Sequence, residues 1–148
     1  MPEPMTMSNV SNTTMIDSRV FGPMGIENTK IIHFPKGVPG LDSERNFAFV
    51  CIEEYQPLVW MISQSGLYHL PVIPLTLIDS EDLDEESRED YYPQLMQILN
   101  DNPNTAAYVI LKLNPSIKHI SLKAPIVVDV ELLRGEQYIL DYITMQST

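Results

Sequence analysis

"HISLKAPIVVDVELLRGEQYIL", His119 to Leu140, holds the clearest alternation in the chain. Ile126, Val128, Val130 and Leu132 fall on one side of an extended backbone, with Val127, Asp129 and Glu131 on the other. Just before them, Ile120, Leu122 and Ala124 alternate with His119, Ser121 and Lys123. A period of two belongs to strands, and apolar residues alternating with polar ones describe a sheet with one wet face. Arg134-Gly135 reads as a tight turn, after which Gln137 to Tyr142 returns as the second arm of a hairpin. Upstream, Ala107, Val109, Leu111 and Leu113 keep the same period.

The first half adds shorter pieces. Arg19-Val20-Phe21 stops at Gly22-Pro23, and Lys30 to Phe34 stops at Pro35-Lys36-Gly37. Phe47 to Ile52 is nearly continuous apolar sequence, which fits a strand buried on both faces. Leu58 to Ile62 follows, then Tyr68 to Leu77, where Pro71 and Pro74 lack the donor an interior ladder uses; that piece is expected at an edge or a bulge. Helical signals are confined to one region: Ser80 as cap of a turn through Asp82 to Arg88, and Pro93 at the first position of a short helix, Gln94 to Leu99. The fold class expected is mainly β, a small antiparallel β-barrel-like domain with one short helical insertion. Residues 1–14, small, polar and proline-containing, read as a flexible tail, and residues 15–148 as a single domain.

Charge narrows the function. The 148 residues carry 20 Asp and Glu against 9 Lys and Arg, a formal charge of -11. Such a surface repels a phosphate backbone, so no direct nucleic-acid partner is expected; it attracts a basic protein instead. No apolar run approaches the roughly 18 residues of a membrane helix, and the chain start has neither a basic nor an apolar leader segment, so no membrane partner and a cytoplasmic location are expected. Cys51, the single cysteine, precludes an internal disulfide and reads as a small buried hydrophobe.

Signs of catalysis are missing. Ser63-Gln64-Ser65-Gly66 has the wrong spacing for a nucleophile elbow, and no glycine loop is built to cradle phosphate. His33, His69 and His119 stand far apart without a ligand pair. The run Glu81 to Asp90 lacks the central glycine of a calcium loop and places Leu83 where a ligand is needed. It reads as a solvated face or as a docking surface for a basic partner. Beside it Tyr91-Tyr92-Pro93 is the better candidate for an exposed aromatic contact, whereas Trp60, among apolar neighbours, reads as core before interface, with the interface option left open. No catalytic residue, cofactor or metal is expected. A hydrolase assembled around His69, Asp79 or the acidic run is the weakest reading, and a small-molecule-binding barrel is opposed by the space-filling Val, Leu and Ile of the alternating faces.

Several stretches together resemble the flagellar assembly factor FliW family. They are Arg19-Val20-Phe21-Gly22; Ile32 to Leu41, similar to the family's F-x-x-G-[IV]-P-G-F turn; Pro57 to Ser65; Leu122 to Val128; and Gly135 to Leu140. Leu41 replaces a usual phenylalanine, Ser121 and Asp129 usual asparagines, and Tyr138 a usual valine. The segment from Glu81 to Asn102 matches no family pattern. The resemblance implies a non-catalytic β-barrel that binds the translational repressor CsrA and flagellin, relieving repression of flagellin mRNA and coupling synthesis to filament assembly. In the loop His33 to Leu41, Gly37 and Gly40 are expected in turn conformations, the loop being either a barrel corner or a contact. Partner contacts are expected at Phe34, Pro35, Gly37, Pro39, Gly40, Tyr91, Tyr92, Ala124, Pro125 and Gln137.

Overall fold

The computed structural model describes residues 12–41, 43–111 and 120–140. Nine strands appear among them: β1 (Thr13–Ser18), β2 (Gly22–Glu27), β3 (Ile31–His33), β4 (Asn46–Cys51), β5 (Val59–Ser63), β6 (His69–Pro74), β7 (Thr105–Ile110), β8 (Ile126–Asp129) and β9 (Arg134–Gln137). Strands β3 to β9 close into a seven-stranded barrel, while β1 and β2 form a separate hairpin. All neighbours are antiparallel except β3 and β9, which meet in parallel at the pair His33 and Arg134. The mainly β expectation holds, and the helical insertion is α1 (Tyr92–Asp101), with Pro93 in its first turn. A proline is harmless there because the first helical N–H groups have no intrahelical acceptor.

The alternating residues divide between two environments. Phe34, Phe47, Met61, Val72, Ile126 and Val128 pack inside the barrel. Their strand neighbours do not face water. Val127, with Ala107 and Val109 of β7, is buried outside the barrel beneath Leu95 of α1, Leu83 and Tyr91. Ala48 of β4 and Ile62 of β5 are covered by Ile16 and Ile26 of the β1–β2 hairpin. The one-wet-face expectation is therefore corrected for β7 and β8, whereas β4 is buried on both sides as its apolar run predicts, Phe47 and Ala48 both being fully inaccessible. Each covering element is amphipathic, and the outer barrel wall is where its apolar face is removed from water.

Other local readings shift. Arg19-Val20-Phe21 is the turn between β1 and β2, not a strand. The β8–β9 turn lies at residues 130–133, where Asp129 Oδ1 accepts the N–H groups of Glu131 and Leu132 at 2.9 Å each. Arg134-Gly135 consequently belongs to β9. Gly135 is in the strand because of contact: a Cβ there would lie 2.5 Å from the Phe34 ring. Strand β6 is interior rather than an edge. Its Pro71 is tolerated because its carbonyl faces β7, accepting the Leu111 N–H at 2.9 Å, so the missing donor falls just past the β6–β7 ladder and outside the β5–β6 one. Of the strand expected over His119 to Ala124, Ile120 forms an isolated bridge to Leu83 and residues 121–124 are irregular. His119 and Leu113 lie outside the described residues, as do residues 1–11 of the expected tail; Thr13 and Thr14 open β1. Cys51 is exposed, because β4 ends there at the barrel rim.

The hairpin is latched at its turn. The Ser18 hydroxyl receives the N–H groups of Val20 and Phe21, leaving its proton for His69 Nε2, 2.7 Å away. That donation needs a neutral imidazole. Burial, followed by the nearby Arg19 charge, lowers the His69 pKa from its ordinary 6.5. The unfolded chain therefore takes up this proton before the native one does. The stability tied to His69 is complete above pH 6.5 and declines as pH falls through the unfolded value toward the lower native one. Thermal melts between pH 7.5 and 5 should show this decline, and His69→Gln should flatten that part of the profile; an unchanged slope in the variant would refute the assignment.

Candidate functional site

Interior packing separates the expected contact residues. Phe34 is fully buried, edge-to-face with Phe47 at 5.5 Å between centroids and stacked on Phe49 at 6.4 Å. Pro125 is fully buried and Tyr91 is 3% exposed. These three contribute to the core and offer a partner no side-chain surface. The turn expectation for the loop holds: Gly37 and Gly40 have φ of +75° and +88°. Gly37 is buried beneath the Arg45 guanidinium, while Pro35, Pro39 and Gly40 are exposed. The loop is thus both corner and surface: Phe34 and Val38 plug the barrel end, and the residues between and beyond them face out. Ala124 and Gln137 are half-buried and tied together, Gln137 Nε2 donating to the Ala124 carbonyl at 3.2 Å.

Beside this loop a groove of about 270 Å³ runs along the outer wall of β7, β8 and β9. Pro35 and Lys36 form one side, Asn102 beyond α1 the other, and the outward residues Arg134, Glu136 and Tyr138 lie between them. Leu132, 66% exposed in the β8–β9 turn, closes one end with its side chain in water. Lys36 Nζ meets Glu136 Oε2 at 3.0 Å, but the lysine is largely exposed and such pairs contribute well under about 1 kcal/mol. Burial, then the Glu136 carboxylate, raises the Tyr138 pKa, with Lys36 opposing; the phenol stays protonated and can donate. The groove is smaller than the roughly 300–1,000 Å³ of small-molecule pockets, and the barrel interior behind it is filled by Phe34, Phe47 and Met61. This groove does not reach the size usual for a small-molecule pocket. Sequence reasoning did not select Leu132, Arg134, Glu136 or Tyr138, although the last three are spaced i, i+2, i+4 along one extended chain and share a face for that reason.

A second surface is electrostatic. Glu81, Asp82, Glu85, Glu86 and Glu89 are exposed between β6 and α1, with Arg88 as the one cation of that run. Asp84 turns inward: its Oδ1 accepts the Ser87 N–H at 2.8 Å, so it caps the helical turn that Ser80 was expected to cap. The Ser87 hydroxyl, fully buried, receives the Leu122 N–H at 2.8 Å and ties the acidic segment to the barrel. Leu83 and Tyr91 anchor it by burial in the layer under α1. The acids therefore sit on a fixed platform. Tyr92 follows them, 39% exposed. Among the described residues no group of three or more His, Cys, Asp or Glu is placed to hold a metal. No helix among them is long and apolar enough to cross a membrane.

Comparison with known proteins agrees with this architecture. The family model described as FliW protein matches residues 14–148. A flagellar assembly factor FliW from Thermosipho africanus is 31% identical over 124 residues, covering 81% of this chain and 83% of that protein. Another from Caldicellulosiruptor saccharolyticus is 25% identical over 136 residues, covering 89% and 86%. Among solved structures, a crystal structure of the flagellar assembly factor FliW superposes with a TM-score of 0.57 at 25% identity, covering 86% of this chain and 89% of that one.

Proposed function

The chain belongs to the FliW family, and from that membership we propose that it acts without catalysis in the cytoplasm, binding a CsrA-type translational repressor and flagellin. Holding the repressor off flagellin mRNA, and losing that hold when flagellin accumulates, would couple synthesis to filament assembly. One observation supports the repressor half most directly: five exposed carboxylates between Glu81 and Glu89 on a platform pinned by Leu83, Ser87 and Tyr91. An RNA-binding protein presents basic residues to phosphate, so this face draws it in and, once docked, opposes the approach of RNA.

The test is a salt titration of repressor binding. The association rate should fall steeply as ionic strength rises, since exposed charges are screened over about 8–10 Å near physiological salt. The double variant Glu85→Lys/Glu86→Lys should slow association at low salt by about tenfold, with dissociation little changed. An association rate flat across salt, or unaltered in the variant, would count the electrostatic account out. Absence of binding to both repressor and flagellin would end the functional reading itself.

A further inference from the structure

The β1–β2 hairpin is built as a separate piece. Its strands pair with each other and with no strand of the barrel. Among the described hydrogen bonds, two join it to the barrel: Arg19 N–H to the Gly66 carbonyl at 3.0 Å, and Ser18 Oγ to His69 Nε2 at 2.7 Å. The rest of its hold is apolar. Ile16 and Ile26 cover Ala48 and Ile62, with Phe21, Met24 and Trp60 packed around them, in a cluster distinct from the one inside the barrel. Between the hairpin and β3 the chain passes through the turn Asn28–Lys30, where no side chain is buried. Two features weaken the closed position. The Trp60 Nε1–H is buried without a hydrogen-bond partner, a cost that access to water would remove. The Ser18 latch also holds in one protonation state only. Its oxygen already receives the Val20 and Phe21 N–H groups, so its proton must go to His69, and a charged imidazole has no lone pair to take it.

We propose that the β1–β2 hairpin is a proton-operated flap: charging His69 favours its release from the β4–β5 wall while the barrel stays folded, uncovering Ala48, Trp60 and Ile62. The surroundings of the ring favour this response. Arg19 at the hairpin tip is the charged side chain that acts on it, and with burial it opposes a second cation there; the Leu67 carbonyl is the group that favours the charged ring. Strand β5 meets His69 in register at the uncharged Ile62, and the Phe21 ring lies edge-on at 5.8 Å. Asp17, beside Ser18, is exposed, and Glu44 accepts the Ser65 hydroxyl of the β5–β6 turn at 3.0 Å. Among the described residues neither carboxylate forms an ion pair with the imidazole. Opening returns His69 to water and to its ordinary pKa of 6.5, above the closed value. Acid therefore binds the open form better, and the closed form loses ground as pH falls through 6.5 toward the lower value. A detached two-stranded sheet is marginal in water, so its own ladder melts once it leaves the wall. The barrel keeps its closed strand order and its separate interior cluster.

Amide hydrogen exchange on the full chain, expressed as protection relative to the unfolded chain, tests this at pH 7.5 and pH 5. The β1 and β2 amides should lose about fivefold in protection at the lower pH, while those of β5 and β8 hold theirs, as a local opening requires. Trp60 emission should shift toward that of a hydrated indole over the same pH range. His69→Gln keeps an acceptor for Ser18 but cannot be charged, so its hairpin protection should not change between the two pH values. Ser18→Ala removes the latch and should lower hairpin protection at pH 7.5, again without loss in β5 and β8. Protection lost equally in hairpin and barrel would show acid acting on the whole fold and would overturn the flap. So would hairpin protection that is the same at both pH values, or a pH response that survives in His69→Gln.

Discussion

Phe34→Ala is expected to cost about 3–5 kcal/mol of stability, the usual range for emptying a large aromatic site in a packed core. For a chain of this size that corresponds to a fall in melting temperature on the order of 10 °C. The expectation follows from position. Phe34 is fully buried, its ring contacts Phe47 and Phe49, and it lies directly beneath Gly135 of β9, so it plugs the barrel where β3 and β9 meet. Gly135→Ala should be costly by itself, because its methyl would sit 2.5 Å from the ring. In the Phe34→Ala background most of that cost should go, leaving only the tight 3.1 Å approach to Ile32 Cγ2, and the double-mutant coupling should be roughly 1–3 kcal/mol. Chemical denaturation of the four proteins measures it. A Phe34→Ala protein of ordinary stability that fails only in partner binding would show the side chain to be a contact and not a plug.

Gly66→Ala should cost about 3 kcal/mol, and the loss should appear at the β1–β2 hairpin. Gly66 has φ of +80°, which costs an L-residue roughly 1–2 kcal/mol. A Cβ would also strike the Asp17 carbonyl, whose carbon lies 2.7 Å away, and a backbone group in a paired strand cannot swing aside. The same contact carries the hydrogen bond from Arg19 N–H to the Gly66 carbonyl at 3.0 Å. Displacing the hairpin strips cover from Trp60, which packs against Phe21 at 5.6 Å, so its fluorescence should move toward that of a hydrated indole. Gly40→Ala is the control. Its φ is +88° but a Cβ there meets nothing within 4 Å, so only the backbone cost of roughly 1–2 kcal/mol applies. Equal losses in the two variants would mean that the hairpin yields to the methyl.

Local signals were read well where one physical cause dominated. The apolar run of β4 announced burial on both faces, and Pro93 marked the start of α1. Gly37 and Gly40 marked a turning loop, and the loop turns at both. Readings failed where a distant element decided the outcome. Val127 alternates with Ile126 and Val128 as a polar-face position would, yet α1 covers it. Pro71 reads as an edge residue, yet its carbonyl faces the neighbouring strand and the closed barrel holds it inside. Cys51 sits in apolar sequence, and the end of β4 at the rim leaves it in water.

The candidate surfaces divide in the same way. The acidic run was visible in the chain because exposed charge needs no partner to be recognised; its rigidity was not, since that comes from Ser87 and Leu83 reaching the barrel. Within His33 to Leu41, neighbouring residues part company, Phe34 into the core and Pro35 to the groove. Sequence alone determined a mainly β chain, its turns, its helix start and its acidic face, because backbone sterics, period and charge act over a few residues. Tertiary structure decided which faces are covered, where β3 stops against β9, and hence that a groove lies beside that seam. Those features arise from pairing between strands far apart in the chain, where burial and register, not local preference, set the energy.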